Sequence, residues 1–314
     1  MKRTRTQLVG QLEKDGLKFS EFTLVHEGNY SPADADWNYK DVPHLHHVHD
    51  LVEATIASVS AEEIATINIQ KALGMSLPLA VFNYQSTPKT QTYFTTWLFF
   101  VLIIETIYEA LGPNRTRVST TYSVGSSKLL TWLHPGIRWT IKRNYKDLMS
   151  QDIPMRTRRG QLRSWGYSFR NPEPSSHYGF EATMDISKSN VVPPVNPAGY
   201  APVSIQIEQE LPDPSERLIG RDDHLGLRLV RTGNRLSLYP RLCPHEGCSL
   251  DQRVLTNDLT KCNWHGRLFG PLATIDLSQP STHIDLQYHQ VALANRTLTI
   301  KINEPAPIPQ ANRV

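Results

Sequence analysis

CPHEGCSLD (residues 243–251) and KCNWHGRLF (residues 261–269) decide how the last third of this chain folds. The first offers Cys243 and His245 and the second Cys262 and His265, with sixteen residues between the pairs. Two thiols and two imidazoles given in pairs form a metal-ligand set, and the pairs can meet only where two loops face each other from one scaffold. A structural zinc with the same donors favours C-x2-C and H-x3-H spacing over the C-x-H and C-x2-H found here. Gly247 and Gly266 allow each loop to turn tightly. Leu250, Trp264 and Phe269 can screen the loops from water.

The flanking sequence supplies the scaffold. Stretches 205–209, 226–231 and 235–239 precede the first loop, and 273–277, 290–293 and 297–302 follow the second. All read as short strands. Gly233 and Asn234 form a two-residue hairpin turn suited to positive φ. The expectation is an all-β domain over residues 203–303.

These residues resemble the Rieske family. The resemblance implies a 2Fe–2S cluster with Cys243 and Cys262 on one iron and His245 and His265 on the other. It also reads the sub-type. High-potential members brace the cluster with a disulfide between second cysteines in the two loops. Cys248 matches the first position, but Trp264 occupies the second, and Arg267 replaces a serine that donates to a sulfide. Fewer donors to the sulfurs imply a low potential, as in the ferredoxin and oxygenase branch. Cys248 is then a small buried filler.

The 314 residues are enough for two cores, and 33 basic against 30 acidic residues, net +3, do not argue for nucleic acid. Three cysteines, two of them assigned to metal, exclude a disulfide scaffold and read as an intracellular, cytoplasmic protein. The sequons at Asn114 and Asn295 are then idle. No apolar segment follows the basic start, so no secretory signal is expected. The longest apolar run, residues 97–104, suits a buried strand and is too short for a membrane span. Without a nicotinamide or flavin motif, the cluster must be charged by another protein, a ferredoxin or flavin reductase. Residues 171–202, rich in Pro, Ser and Asn, read as a linker.

Residues 36–50, DWNYKDVPHLHHVHD, hold four of the twelve histidines. Asn38, Asp41, His44 and His49 form N-x2-D-x2-H-x4-H. Five positions apart on a regular helix, the two histidines would diverge by about 140°. A kink at Pro43 could still aim both into one pocket. The pattern resembles Rieske non-haem iron oxygenases, which implies His44 and His49 as ligands of a mononuclear Fe(II), with Asp41 and Asn38 as catalytic residues. In that family an Asp at the Asp41 position links a cluster histidine to an iron histidine. A third, carboxylate ligand is expected from the closing helix. Asp152, in SQDIPMRTRRGQLR, matches the position, and Asp147 is the rival.

The N-terminal half, residues 18–170, resembles the helix-grip fold, the START-like, SRPBCC or polyketide-cyclase-like architecture. The fold class expected is therefore α+β, a helix-grip domain followed by an all-β Rieske domain. Residues 19–27 read as the first strand, 91–110 and 115–124 as two long strands, and 136–166 as a helix interrupted near Pro154. The enclosed cavity should be apolar, lined by Trp97, Phe99, Phe100 and Tyr122, and suited to a hydrophobic or aromatic small molecule. Lys142, Arg143, Lys146, Arg156, Arg158, Arg159 and Arg163 read as a solvated face. Domain order is the reverse of ordinary Rieske oxygenases: a homotrimer is implied if the family arrangement persists, a monomer if the linker folds the domains together. Two functions follow: an oxygenase using O2, or a non-catalytic START-like ligand-binding domain fused to a Rieske electron-transfer module.

Overall fold

The computed structural model describes residues 2–49, 52–59, 63–72, 75–170, 191–194, 202–222, 225–251, 255–256 and 258–302. The chain divides into two compact units, and the boundary falls between Gln161 and Leu162, inside the closing helix and earlier than the 170/171 boundary read from composition.

The N-terminal unit is α+β, a large antiparallel sheet with a long helix. Its strands are β1 (Lys18–Gly28), β2 (Val52–Val59), β3 (Glu63–Ala72), β4 (Met75–Thr87), β5 (Thr90–Trp97), β6 (Phe100–Gly112) and β7 (Arg115–Ser126), in the order β1-β7-β6-β5-β4-β3-β2. Strands β1 and β2 lie at opposite edges. The intervening chain, carrying α2 (Pro32–Lys40) and α3 (Pro43–Val48), must therefore cross the sheet, which brings the histidine segment over it. After β7, a short 3-10 turn leads into α4 (His134–Ser164), whose Ile137, Ile141 and Tyr145 recur at helical spacing and pack on Phe22, Phe100, Tyr122 and Val124. This arrangement is consistent with the helix grip. A capped helix α1 (Arg5–Lys14) precedes β1, outside the span read as folded.

Several expectations are corrected here. Residues 91–110 are two strands, because Leu98 takes a positive φ of 52° and the chain turns at Leu98 and Phe99. The apolar run 97–104 is thus a hairpin tip, with Leu98 70% and Phe99 76% exposed. Helix α4 runs through Pro154 without a break. The amide bond that Pro154 forfeits belongs to the carbonyl of Ser150, and both residues are exposed, so water can serve that carbonyl. The basic face is not uniformly solvated: Arg156 and Arg159 are buried.

The C-terminal unit begins with a two-stranded pair, β8 (Ser168–Phe169) and β9 (Val191–Val192), so part of the presumed linker is strand. Then come β10 (Val203–Gln206), α5 (Ile207–Glu210), β11 (Ser215–Ile219), β12 (Leu227–Thr232), β13 (Arg235–Pro240), β14 (Leu255–Thr256), β15 (Leu259–Lys261), β16 (Leu268–Phe269), β17 (Ala273–Asp276), β18 (Ser281–Asp285), β19 (His289–Ala294) and β20 (Thr297–Ile302). Residues 207–209, read as strand, are helix. Sheets β10-β20-β19-β18 and β11-β12-β13-β17 share an aliphatic core that includes Leu229, Leu238, Ile275, Val291 and Ile300. The turn joining β12 and β13 needs positive φ only at Gly233, which sits at 60°. Among the described residues no helix is long and apolar enough to cross a membrane.

Candidate functional site

The histidine segment is two helices rather than one kinked helix. Helix α2 starts at a capping box, Ser31 with Asp34, and ends at Asp41. Pro43 then opens α3, where a missing N–H costs nothing. His44 lies in the first turn of α3, and His49 follows the last turn on extended backbone, φ −103° and ψ 115°. Leaving the helix at His49 cancels the divergence that five helical residues would impose. The two rings stand edge to face, centroids 5.2 Å apart.

Helix α4 brings Asp152 against both. Its Oδ1 lies 3.3 Å from His44 Nε2 and 3.1 Å from His49 Nε2. All three residues are buried, and these three atoms make no hydrogen bond of acceptable geometry. Asp147 is exposed on the same helix, away from this cluster. The outer nitrogens differ: His49 Nδ1 meets Gln151 Oε1 at 2.6 Å, whereas His44 Nδ1 lies 3.5 Å from Asp41 Oδ2, an ion contact without hydrogen-bond geometry. Such backing orients an imidazole so that its Nε2 faces a metal. Burial acts to lower the His44 pKa, but Asp152 and Asp41 outweigh it and raise it to about 9. For Asp152, burial is likewise outweighed by His44, His49 and Arg156, which hold its carboxyl far below the usual range.

Arg156, read as surface, is fully buried and organises the far side of the cluster. Its Nη2 donates to Asp152 Oδ2 at 3.3 Å, its Nε to Asn38 Oδ1 at 2.7 Å, and its Nη1 meets His26 Nε2 at 3.0 Å. The guanidinium also lies over the Tyr39 ring, 4.4 Å from its centroid. His26 Nδ1 continues to Tyr145 Oη at 2.6 Å. Burial and then the Arg156 charge lower the His26 pKa to about 4, so this imidazole is neutral. Arg159, one turn on, pairs with Asp34 at 3.2 Å. Gln151, Arg156, His26 and Tyr145 escaped the sequence reading. The one available signal was the spacing of Asp152, Arg156 and Arg159 on the stripe that continues Ile141 and Tyr145.

His44, His49 and Asp152 open onto a cavity of about 200 Å³. Of the aromatics expected around it, Tyr122 lines it, together with Tyr39, Tyr93 and Tyr145. Phe100 belongs instead to the core under α4, Phe99 is exposed at the hairpin tip, and Trp97 stacks on Phe100. The sheet wall is polar as well as aromatic, with Thr66, Asn68, Asn83, Thr106 and Thr120 facing inward.

In the C-terminal unit the two cysteine–histidine loops have matching backbones. Cys243 N–H donates to Cys248 O at 2.8 Å and Gly247 N–H to Cys243 O at 2.9 Å; Cys262 N–H donates to Arg267 O at 2.8 Å and Gly266 N–H to Cys262 O at 2.9 Å. Gly247 and Gly266 both take positive φ, 84° and 64°. Strands β15 and β16 hold the second loop, and a bridge between Leu242 and Ser249 closes the first. His245 and His265 approach with Nδ1 atoms 3.2 Å apart, and Cys243, Cys248 and Cys262 are buried with Leu250 and Phe269. Burial, then the sulfurs of Cys243 and Cys248, push the Cys262 thiol well above its ordinary pKa. Cys243, His245, Cys262 and His265 are thus buried on two facing loops, and two thiols with two imidazoles are the donor types that a 2Fe–2S cluster would need.

No protein-family model matches this chain, and no curated protein does. Solved structures that resemble it include protein TTHA0849 from Thermus thermophilus (14% identity, TM-score 0.38, covering 43% of this chain and 95% of that one). Others are the Zhui aromatase/cyclase from Streptomyces sp. R1128 (13%, TM-score 0.38, 46% and 95%) and truncated norcoclaurine synthase from Thalictrum flavum (9%, TM-score 0.37, 44% and 92%). Likenesses of this strength say nothing about activity.

Proposed function

We propose that the chain is a Rieske-type oxygenase acting on a small ring compound. The observation that carries this reading is the convergence of His44 Nε2, His49 Nε2 and Asp152 Oδ1, buried and without hydrogen bonds, at the end of a cavity. The three atoms meet only one another, as ion contacts without hydrogen-bond geometry, and a donor set of two imidazoles with one carboxylate suits a non-haem Fe(II). Iron held there supplies oxidation of a substrate by O2, and a 2Fe–2S cluster held by Cys243, His245, Cys262 and His265 supplies single electrons received from a ferredoxin or flavin reductase. The protein's own work is positional. Asp41 and Gln151 fix the two imidazoles, Arg156 occupies the second oxygen of Asp152 so that the carboxylate offers one, and the tyrosines hold the substrate away from water.

A second reading rests on His44. Its raised pKa lets it pair with Asp152 and Asp41 as a buried ion cluster that needs no metal, as in a ligand-binding domain joined to an electron-transfer module. Iron analysis with electron paramagnetic resonance separates the two. Three irons per chain, one mononuclear, support the oxygenase; two irons, all in the cluster, leave the binding protein; zinc in place of iron refutes both.

A further inference from the structure

The cavity beside His44, His49 and Asp152 takes its lining from helices and from the sheet, and the two contribute different chemistry. On the sheet side, β3 contributes Thr66 and Asn68 and β4 contributes Asn83, all on the inward face because alternate strand residues share a side. Asn68 and Asn83 are each more than nine-tenths buried, and the Oδ1 of each has no hydrogen-bond partner. Across the sheet Asn83 is followed in register by Tyr93, Ile104 and Tyr122, so its carboxamide lies at the edge of a partly aromatic floor, while Asn68, opposite Leu79, sits four positions along β3 from the Ile64 that faces Asn83. No lysine or arginine lines the cavity among the described residues, whereas Asp41 and Asp152 do.

From this we infer that the cavity selects a neutral, single-ring molecule bearing hydroxyl or N–H groups, and rejects aromatic carboxylates. The inference rests on the oxygenase reading only for what happens to that molecule, not for its binding. Three physical arguments support it. The volume, about 200 Å³, is near that of a cavity known to accept benzene, roughly 150 Å³, so one substituted ring fills it. Two buried acceptors without partners are satisfied by a ligand that brings donors, and a ligand lacking them leaves both unpaired, which is the stronger source of discrimination. A carboxylate brings only acceptors to the two carboxamide oxygens, and no lysine or arginine among the described residues lines that wall to pair with it.

The test is calorimetric titration of the full-length protein, as isolated and again after chelation with iron content measured, using phenol, resorcinol, toluene and benzoate as probes. Phenol and resorcinol should bind at least tenfold more tightly than toluene, and benzoate should not bind measurably. Asn68→Leu and Asn83→Leu should each reduce the phenol-to-toluene preference about tenfold, with iron content and unfolding midpoint serving as folding controls. Toluene or benzoate binding as tightly as phenol to the wild-type protein overturns the inference whatever the variants do, as does an absence of binding by all four, which would mean that water alone satisfies the carboxamides. A protein with two irons that still ranks phenol first refutes the oxygenase reading alone; three irons with benzoate or toluene preferred refutes this inference alone.

Discussion

Arg156 donates to the Oδ2 of Asp152 one helical turn before it, at 3.3 Å, while the Oδ1 of the same carboxylate faces His44 and His49. The carboxylate and the guanidinium that holds it are thus on one helix, and their spacing is set by α4 itself. Removing one member of a buried ion pair strands the other. Arg156→Met should therefore lower stability by about 3–5 kcal/mol, measured by urea denaturation. A loss below about 1 kcal/mol would mean that the guanidinium is not an organising group.

On the proposed oxygenase reading, His44→Ala and His49→Ala should each remove a mononuclear iron and leave the cluster's spectrum intact, because the residues proposed for the two metals lie in different units. Asp152→Asn should weaken the same iron, and Asp147→Asn, exposed, should do nothing. Iron-to-protein ratios and electron paramagnetic resonance on the four variants read this directly; wild-type iron in both histidine variants would end the oxygenase reading.

Stripped of mononuclear metal, the protein should lose stability between pH 6.5 and about 9. The folded His44 pKa stands near 9, above its unfolded value of 6.5, so its contribution is complete below pH 6.5 and is lost as pH rises through 9. Asp152, held far below the usual carboxylate range, stays ionised throughout. A metal-bound His44 is already neutral at Nε2 and does not titrate there. Urea midpoints at pH 6, 7.5 and 9 should fall for chelated wild type and stay flat for His44→Ala; parallel profiles in the two would exclude His44 as the titrating group.

On the same reading, Cys262→Ser or His245→Ala should abolish visible absorption from a cluster in the C-terminal unit and lower the stability of that unit, since binding of a metal to folded ligands couples to folding. Retention of two irons with an unchanged spectrum would show that other residues hold them.

The two turns were readable from sequence because their cues are local: a cysteine–histidine pair and a turn glycine within six residues. Asn38, Asp41, His44 and His49 were readable for the same reason, although the helix break that aims the histidines was expected as a kink. What escaped depends on long-range packing. Arg156 looks like Arg158 in a basic run, and only the sheet beneath α4 distinguishes the buried one from its neighbour. The turn at Leu98 carries no Gly, Pro or Asn, so a run of apolar residues concealed a hairpin tip. The cavity's polar wall was missed because Asn68 and Asn83, both buried, sit in strands with no motif.

The contact between Arg156 and His26 also assigns a direction to hydrogens. A guanidinium has only donors, so His26 Nε2 must accept; the neutral ring then carries its proton on Nδ1 and gives it to the Tyr145 oxygen. With that oxygen already accepting, the phenolic hydrogen of Tyr145 is left for Thr120 or for whatever enters the cavity. One arginine absent from the cavity lining thereby sets the polarity of a residue in it: through His26, Arg156 turns the hydroxyl hydrogen of Tyr145 away from the imidazole.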